Sequence, residues 1–379
     1  MDEFNPTANW TTAQPWRGLF GVVVTLGTAF TITSLFDIQA YSALFTTFLM
    51  SNVPILVIIT LGLQVQYPPT EGLPRPWGAL LLSAFVLLMG FLISRALVAF
   101  LAGGAATPFI NIQAIVTVII TFFLVIAFGM WPFHKMSLPG KGFSTLILAY
   151  IIGWLVVKLF NFSLLSHPDG AVPSAVGAVP FYAEGGPLAA FAAIAPTSGP
   201  FTWEMGITFV FWCLVPLFAF AVLQMWPLNK FPSVMKQPVL GFVLTIICCV
   251  ISIIVTSIGV NAFKIAPLYL LLIGICYLFG ILIFMTMFQM WPGRTIKSPV
   301  GGGFVTLILA VIVAIIGYYG IKAFCVSHFG AEGMTHPSDV FTIGNLMLGI
   351  TFPAWAAYQG MWDFWPLPPS PEPPAEPES

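Results

Sequence analysis

Histidine and acidic side chains occur together in two glycine- and proline-rich stretches of the sequence. One stretch contains "HPDG" at 167–170, the other contains "HPSD" at 336–339, and each also contains an "AEG". The candidate metal ligands in these stretches are His167, Asp169, Glu184, His328, Glu332, His336 and Asp339. Imidazole and carboxylate groups in such a mixture could bind a divalent transition metal or respond to pH. Because neither stretch has HExxH or His-x₃-His spacing, we favour the alternative that they are copies of one loop with helix-capping Asp residues.

A second set of polar residues lies near the ends of five apolar runs that close on Phe, such as "KLF" at 158–160 and "KAF" at 322–324. With Arg95, which lies about one helical turn before the same position in its own run, the set comprises Ser34, Arg95, Lys158, Asn261 and Lys322. Cations within membrane helices are functional candidates, and a collar of such residues would attract anions or dipolar solutes. The alternative, which we favour, is that the lysines anchor helix ends by reaching the lipid headgroups.

The sequence lacks the residues that several kinds of chemistry require. The sequence has no Walker motif, no GxSxG, no CxxC among its five cysteines, and no His, Asp or Glu in the middle of an apolar run. These absences disfavour haem ligation, proton relay and catalysis within the membrane, so we expect neither an enzyme nor a bound cofactor. The net charge is −1 and there is no basic block, which disfavours nucleic acid as a partner.

The elements that position these residues must lie in lipid. Of the 379 residues, 59% are hydrophobic and only 7% are charged, and the mean hydropathy is +0.98. A water-soluble fold of this length cannot bury so much apolar surface. We therefore predict an all-α, polytopic integral membrane protein whose first partner is the lipid bilayer.

Ten apolar runs are long enough to span a bilayer, and runs without period-2 alternation indicate helices rather than barrel strands. They cover about 18–36, 42–65, 78–101, 108–130, 142–161, 201–225, 240–263, 267–290, 303–324 and 339–361. Three even-numbered runs contain an internal proline, namely Pro54, Pro216 and Pro353. Such prolines free carbonyl groups that can line a cavity, or simply kink the helix for packing.

Tryptophan and proline mark the ends of the even-numbered runs. "MWP" closes runs at 130–132, 225–227 and 290–292, and "MW" at 361–362 is interpreted as a further copy. Pro68 to Pro132 is 64 residues and Pro227 to Pro292 is 65, whereas an insertion of about 30 residues enlarges the loop at about 162–200. We predict tandem, parallel two-helix hairpins, arranged as a half-unit, four units and a half-unit.

Charge in the short loops predicts the orientation. Eight of the twelve Lys and Arg residues lie on the Trp-Pro side and four on the other side, which places the Trp-Pro side in the cytoplasm. Both termini are then cytoplasmic, in a plasma or inner membrane, and the N-terminus lacks the pattern of a cleavable signal. The predicted parts are an N-terminal segment 1–17, a ten-helix membrane domain 18–362 and a disordered Pro- and Glu-rich tail 363–379.

Three functions fit this pattern. The leading hypothesis is a channel or facilitator for a small neutral or anionic solute. The second is a non-catalytic scaffold that anchors other membrane subunits, or a homo-oligomer, through the enlarged loop or the tail. The third is an extracytoplasmic metal-handling protein, which rests on the His, Asp and Glu residues alone.

Overall fold

The fold is nearly all helical, with two short strand pairs. A computed structural model describes residues 13–42, 46–64, 72–74, 76–104, 107–165, 172–174, 177–180, 182–185, 188–334 and 338–368. The apolar helices of this part of the chain are α1 Trp16–Thr33, α2 Thr47–Gly62, α3 Trp77–Leu101, α4 Pro108–Ala127, α5 Leu138–Val157, α6 Trp203–Val222, α7 Val239–Ala262, α8 Pro267–Thr286, α9 Pro299–Gly333, which is kinked at Gly330, and α10 Ser338–Gly360. Several helices begin with Pro in the first turn, where its missing N–H has no intrahelical partner in any case.

Nine of the ten helices are long and apolar enough to cross a membrane, as a multi-pass membrane protein requires. The tenth, α2, has 16 residues and a length of about 24 Å, shorter than a bilayer core of about 30 Å. The prediction of ten spans is therefore confirmed for nine helices by length and composition.

The even-numbered helices lie inside and the odd-numbered helices lie outside. In the most apolar window of each helix, 61–72% of the residues are buried in α4, α6, α8 and α10, against 22–33% in the odd-numbered helices. Residues 50–59 of α2 are also all buried. Along the sequence α2, α4, α6, α8 and α10, each inner helix contacts the next, and α10 contacts α2. The inner helices therefore surround a common axis.

Each outer helix packs mainly on the inner helix that precedes it, and α1 packs on α10. The outer helices bury a single stripe of mostly small residues, which in α1 comprises Gly18, Gly21, Thr25, Ala29 and Thr33. A Cβ atom on Gly153 of α5 would lie 2.7 Å from Thr117 Oγ1 of α4, so only glycine permits this approach. Small residues allow the close van der Waals packing that holds helices together in lipid.

The Trp-Pro turns share one backbone geometry. Met130, Met225 and Met290 each have a φ of 60–66° and precede a cis Trp–Pro bond, and the amides of Met130 and Met290 both donate to a carbonyl six residues earlier. The fourth such turn corrects the interpretation of Met361-Trp362. It is formed by Asp363-Phe364-Trp365-Pro366, where Phe364 has a φ of 59° and its amide donates to the Tyr358 carbonyl at 3.0 Å. Folded structure thus extends beyond residue 362, where the sequence placed the start of the tail.

Arg17 joins the two ends of the described chain. It is buried, its Nη1 donates to the Pro368 carbonyl at 2.8 Å, and its Nη2 lies 3.2 Å from both the carbonyl and Oδ1 of Asp363. The guanidinium also lies 4.5 Å from the centre of the Phe364 ring. These contacts attach α1 to the last turn, where no loop connects them.

The enlarged loop between α5 and α6 begins and ends in a parallel strand pair, β1 Phe160–Asn161 and β4 Phe201–Thr202. Within it, β2 Val172–Ser174 pairs antiparallel with β3 Gly177–Val179. Phe162 stacks on Trp203 of α6 with ring centres 6.0 Å apart. The base of the loop is therefore part of the folded core at the end of the bundle opposite the Trp-Pro turns.

Candidate functional site

A small chamber lies on the axis between the inner helices. Its volume is about 60 Å³, which is room for a few water-sized molecules. Every inner helix contributes to its lining, for example through Val53, Ile119, Leu214, Leu278 and Leu348. Apart from Asn345, the side chains of the described lining are apolar. The chamber is thus enclosed by hydrocarbon and one amide.

A wider and more polar vestibule adjoins the chamber at the end opposite the Trp-Pro turns. Its volume is about 180 Å³, and it shares Met50, Ile115, Phe341 and Asn345 with the chamber lining. The polar side chains in its lining include Ser42, Asn111, Ser338, Thr342 and Asn345. Asn111 Oδ1 accepts a hydrogen bond from the Thr47 hydroxyl, which fixes the amide at the mouth.

Aromatic rings fill the space below the chamber, toward the Trp-Pro end. The Phe122 ring centre lies 4.9 Å from that of Phe218 and 5.8 Å from that of Phe352. Phe279 and Trp355 make a second contact at 4.6 Å. These rings come from four inner helices, so aromatic contacts join α4, α6, α8 and α10 at this level.

Local irregularity in α10 shapes the site. Residues Asn345–Thr351 form a π-helical segment, which ends just before Pro353. The Thr351 hydroxyl donates to the Leu346 carbonyl at 2.7 Å and so satisfies a group that the irregular backbone leaves available. Because Gly349 has no side chain, Met50 of α2 can pack closely against it. A Cβ atom on Gly349 would lie 2.6 Å from Met50 Cε. Single-turn π segments occur frequently at functional sites.

The structure does not bring the predicted collar residues together around the axis. Ser34, Arg95, Lys158, Asn261 and Lys322 belong to or follow five different outer helices. The first four are exposed, Lys322 is half-buried, and none is among the described residues that line the chamber or the vestibule. The shared sequence position therefore lies on the outer ring, where the lysines contact aromatic side chains of their own helices.

Lys158 and Lys322 each contact an aromatic side chain about one helical turn earlier in the same helix. Lys158 Nζ lies 4.4 Å from the ring centre of Trp154. Lys322 Nζ lies 3.2 Å from the Tyr318 hydroxyl oxygen and 5.5 Å from the Tyr318 ring centre. This placement fits the alternative interpretation of the lysines as anchors at the end of a helix.

The predicted metal ligands fall into two groups. His167, Asp169, His336 and the side chain of Glu332 lie outside the described residues. Of the others, Glu184 is exposed, Asp339 Oδ1 accepts from the Val340 amide at 2.8 Å, and His328 Nε2 donates to the Phe36 carbonyl at 2.9 Å. Within the described part of the chain, no three His, Cys, Asp or Glu residues are grouped to hold an ion. The metal site stays a prediction, which the metal content of purified protein would test.

The sequence interpretation missed Ser42, Asn111 and Thr342 of the vestibule lining, together with two buried charged residues. Glu204 is fully buried in the first turn of α6, next to Trp203, whose ring centre lies 6.2 Å from that of Phe341 in the vestibule lining. The second, Arg17, was one of the eight Lys and Arg residues counted on the Trp-Pro side, and no contact was predicted for it. An acid in the first turn of an inner span was the available signal for Glu204, although the helix dipole also favours an acid there.

Fold and site together define a class, that of helical multi-pass membrane proteins with an axial cavity. Comparisons with protein-family models, curated proteins and solved structures find no match for this chain. Function is therefore argued from the cavity and its lining.

Proposed function

We propose that this protein is a channel or facilitator for a small uncharged solute, with its path along the axis of the inner helices. The observation that supports the proposal is the chamber of about 60 Å³ to which all five inner helices contribute, with a polar vestibule of about 180 Å³ above it. Ligand and solute paths of membrane proteins commonly run between helices, with a few polar groups at defined positions.

The lining favours an uncharged solute over the anionic alternative. Moving an ion into an apolar environment without a partner is very costly, and a narrow apolar constriction also excludes water and ions by dewetting. The cationic residues that would attract an anion lie on the outer helices. Asn111, Thr342 and Asn345 can instead exchange hydrogen bonds with a small neutral molecule at the mouth.

We infer that the path is built from five copies of one helical hairpin, each an inner helix followed by an outer helix. The matching Trp-Pro turns and the packing of every outer helix on its preceding inner helix support this inference. The contact of α1 with α10, held by Arg17, supplies the fifth pair from the two ends of the chain. The excess of cations on the Trp-Pro side supports a cytoplasmic location for that side and an extracytoplasmic mouth for the vestibule.

Solute flux into proteoliposomes tests the proposal. Water, ammonia, formamide, urea and glycerol are suitable neutral probes, followed by stopped-flow light scattering or an entrapped pH dye. We expect at least one probe to enter faster than into protein-free liposomes. If none does, with the protein shown to be folded by its melting transition, the proposal is wrong.

Two matched variants locate the path. Ile115 is half-buried and lines both the chamber and the vestibule, so Ile115→Trp would place an indole in the open space. Ile120 is half-buried in the same helix and is not among the described lining residues, so Ile120→Trp is the control. We expect Ile115→Trp to reduce flux about tenfold and Ile120→Trp to leave it within about twofold. Equal flux in both variants would contradict an axial path.

A scaffold subunit is the second candidate, and the packed aromatic layer favours it. The ring of Phe122 contacts those of Phe218 and Phe352 across the axis, and the base of the enlarged loop is folded at the opposite end. Purification from native membranes in mild detergent separates the two functions. Other subunits that co-purify in fixed ratio would favour the scaffold, whereas a monodisperse particle of this polypeptide alone would count against it.

A further inference from the structure

The lipid-facing surface carries a groove of about 610 Å³ between α8 and α9. Its described lining includes apolar aliphatic and sulfur side chains such as Leu272, Cys276, Val311 and Ile315, together with aromatic side chains. This volume lies within the range of about 300–1,000 Å³ that is typical of small-molecule sites. The groove does not belong to the axial cavity, because it lies on the outer side of α8.

The distance along α9 from Lys322 to the far part of the groove matches one leaflet. Val311 lines one part of the groove, and Lys322 lies eleven residues further along α9, which corresponds to about 16 Å along a helix. The hydrocarbon core of a bilayer is about 30 Å thick, so a single leaflet contributes about half of that. An acyl chain whose headgroup lies at Lys322 would therefore reach Val311 near the middle of the bilayer.

The end of the groove near Lys322 has the chemistry to bind an anionic group. Tyr318 lines the groove, and its hydroxyl oxygen lies 3.2 Å from Lys322 Nζ. Tyr269 and Tyr319 also line this region and are exposed, so they can present hydroxyl groups at the interface. Asp339 also attracts the Lys322 ammonium electrostatically. Lys322 is only half-buried, so a lipid headgroup can still reach its ammonium.

We propose that this groove binds an anionic phospholipid, with the phosphate beside Lys322 and Tyr318 and one acyl chain along Leu272, Ile315 and Val311. A juxtamembrane lysine attracts anionic headgroups, and the apolar walls line the space that an ordered chain would occupy. The proposal is independent of transport, since the groove and the axis are separate.

Native mass spectrometry of the full-length protein tests the headgroup. The protein is exchanged into mild detergent that contains equal amounts of phosphatidylglycerol and phosphatidylcholine with identical chains. We expect about fivefold more phosphatidylglycerol than phosphatidylcholine bound, as one interfacial lysine would give. Lys322→Gln should abolish the preference, whereas Lys158→Gln, which changes an exposed lysine on Trp154, should retain it. Equal binding of the two lipids, or equal loss in the two variants, overturns the proposal.

A second pair of variants tests the chain. Ile315 and Ile316 are both exposed on α9, and only Ile315 is among the described lining residues. Ile315→Trp should reduce the retention of both lipids at least about threefold by filling the groove, and Ile316→Trp should not. Unchanged retention in Ile315→Trp overturns the proposal. So does photo-cross-linking from a reactive residue at position 315 to a polypeptide, which would assign the groove to a partner helix.

Discussion

Inner and outer helices of this protein cover overlapping ranges of mean hydropathy, from 1.4 to 2.6 and from 1.3 to 2.9, but differ strongly in burial. The inner helix α8 has a mean hydropathy of 2.6 in its most apolar window, of which 72% is buried, and the outer helix α7 has 2.9, of which 33% is buried. In water such apolar helices would both be driven inside. In lipid the surroundings are as apolar as the core, so packing rather than hydrophobicity decides which helix lies inside.

Polar side chains also contribute to the packing between the inner helices and the outer helices. Asn52 of α2 lies directly against Gly90 of α3, and the Ser252 hydroxyl of α7 donates to the Phe209 carbonyl of α6 at 2.6 Å. Thr117 of α4 faces Gly153 of α5. The Ser252 hydrogen bond joins an outer helix to an inner one, whereas the Asn52 amide and the Thr117 hydroxyl donate to carbonyls of their own helix. Apart from Asn345, the described side chains that line the chamber are apolar. That distribution is one reason why we propose an uncharged solute.

The largest expected effect comes from forcing an outer helix away from its inner helix. Gly280 of α8 lies against the Ala310 carbonyl of α9, so Gly280→Leu would force the two helices apart. We expect a loss of about 3 kcal/mol or more in the free energy of unfolding, measured by thermal denaturation in detergent. Gly320→Leu is the control, since nothing lies within 4 Å of a Cβ atom there. Similar melting temperatures for both variants would contradict the tight contact between the rings.

The next effect concerns the contact that joins α1 to the last turn. Arg17→Gln removes a buried guanidinium from the Pro368 and Asp363 carbonyls and from the Asp363 carboxylate. Because Asp363 is one-third exposed, we expect a moderate loss of about 2 kcal/mol in the free energy of unfolding. Arg95→Gln, an exposed arginine on α3, should change it by less than about 0.5 kcal/mol. A stable Arg17→Gln protein would show that α1 is held by its small-residue stripe alone.

Much of the helical framework could be predicted because bilayer thickness sets it. The run predicted at 78–101 is the helix Trp77–Leu101, and the run at 267–290 is Pro267–Thr286 with a turn after it. Tryptophan and proline after the even helices predicted turns at 130–132, 225–227 and 290–292, and each is present. The fourth turn was misplaced at Met361 because Phe364 occupies the methionine position, and backbone geometry rather than side-chain identity defines the turn.

The candidate site could not be predicted in the same way. Lys158 and Lys322 share a sequence position, but hydropathy does not reveal that this position lies on the outer ring. The vestibule combines Ser42, Asn111 and Thr342, which come from separate parts of the chain and carry no motif. Arg17 seemed an ordinary loop cation because its partner lies 346 residues away. These contacts depend on how the helices close around the axis.

The smallest expected effect concerns a hydrogen bond between an inner and an outer helix. It tests whether such a polar contact only stabilises the fold or also lies on the solute path. Ser252→Ala removes the hydrogen bond to the Phe209 carbonyl, and such interhelical bonds contribute about 0.6 kcal/mol to the stability of membrane proteins. We expect a loss of that size in the free energy of unfolding and no change in solute flux, because Ser252 faces α6 and not the chamber. Ser257→Ala, an exposed serine at the end of the regular part of the same helix, should leave both stability and flux unchanged. Reduced flux with unchanged stability in Ser252→Ala would place the path between the rings and contradict an apolar path along the axis.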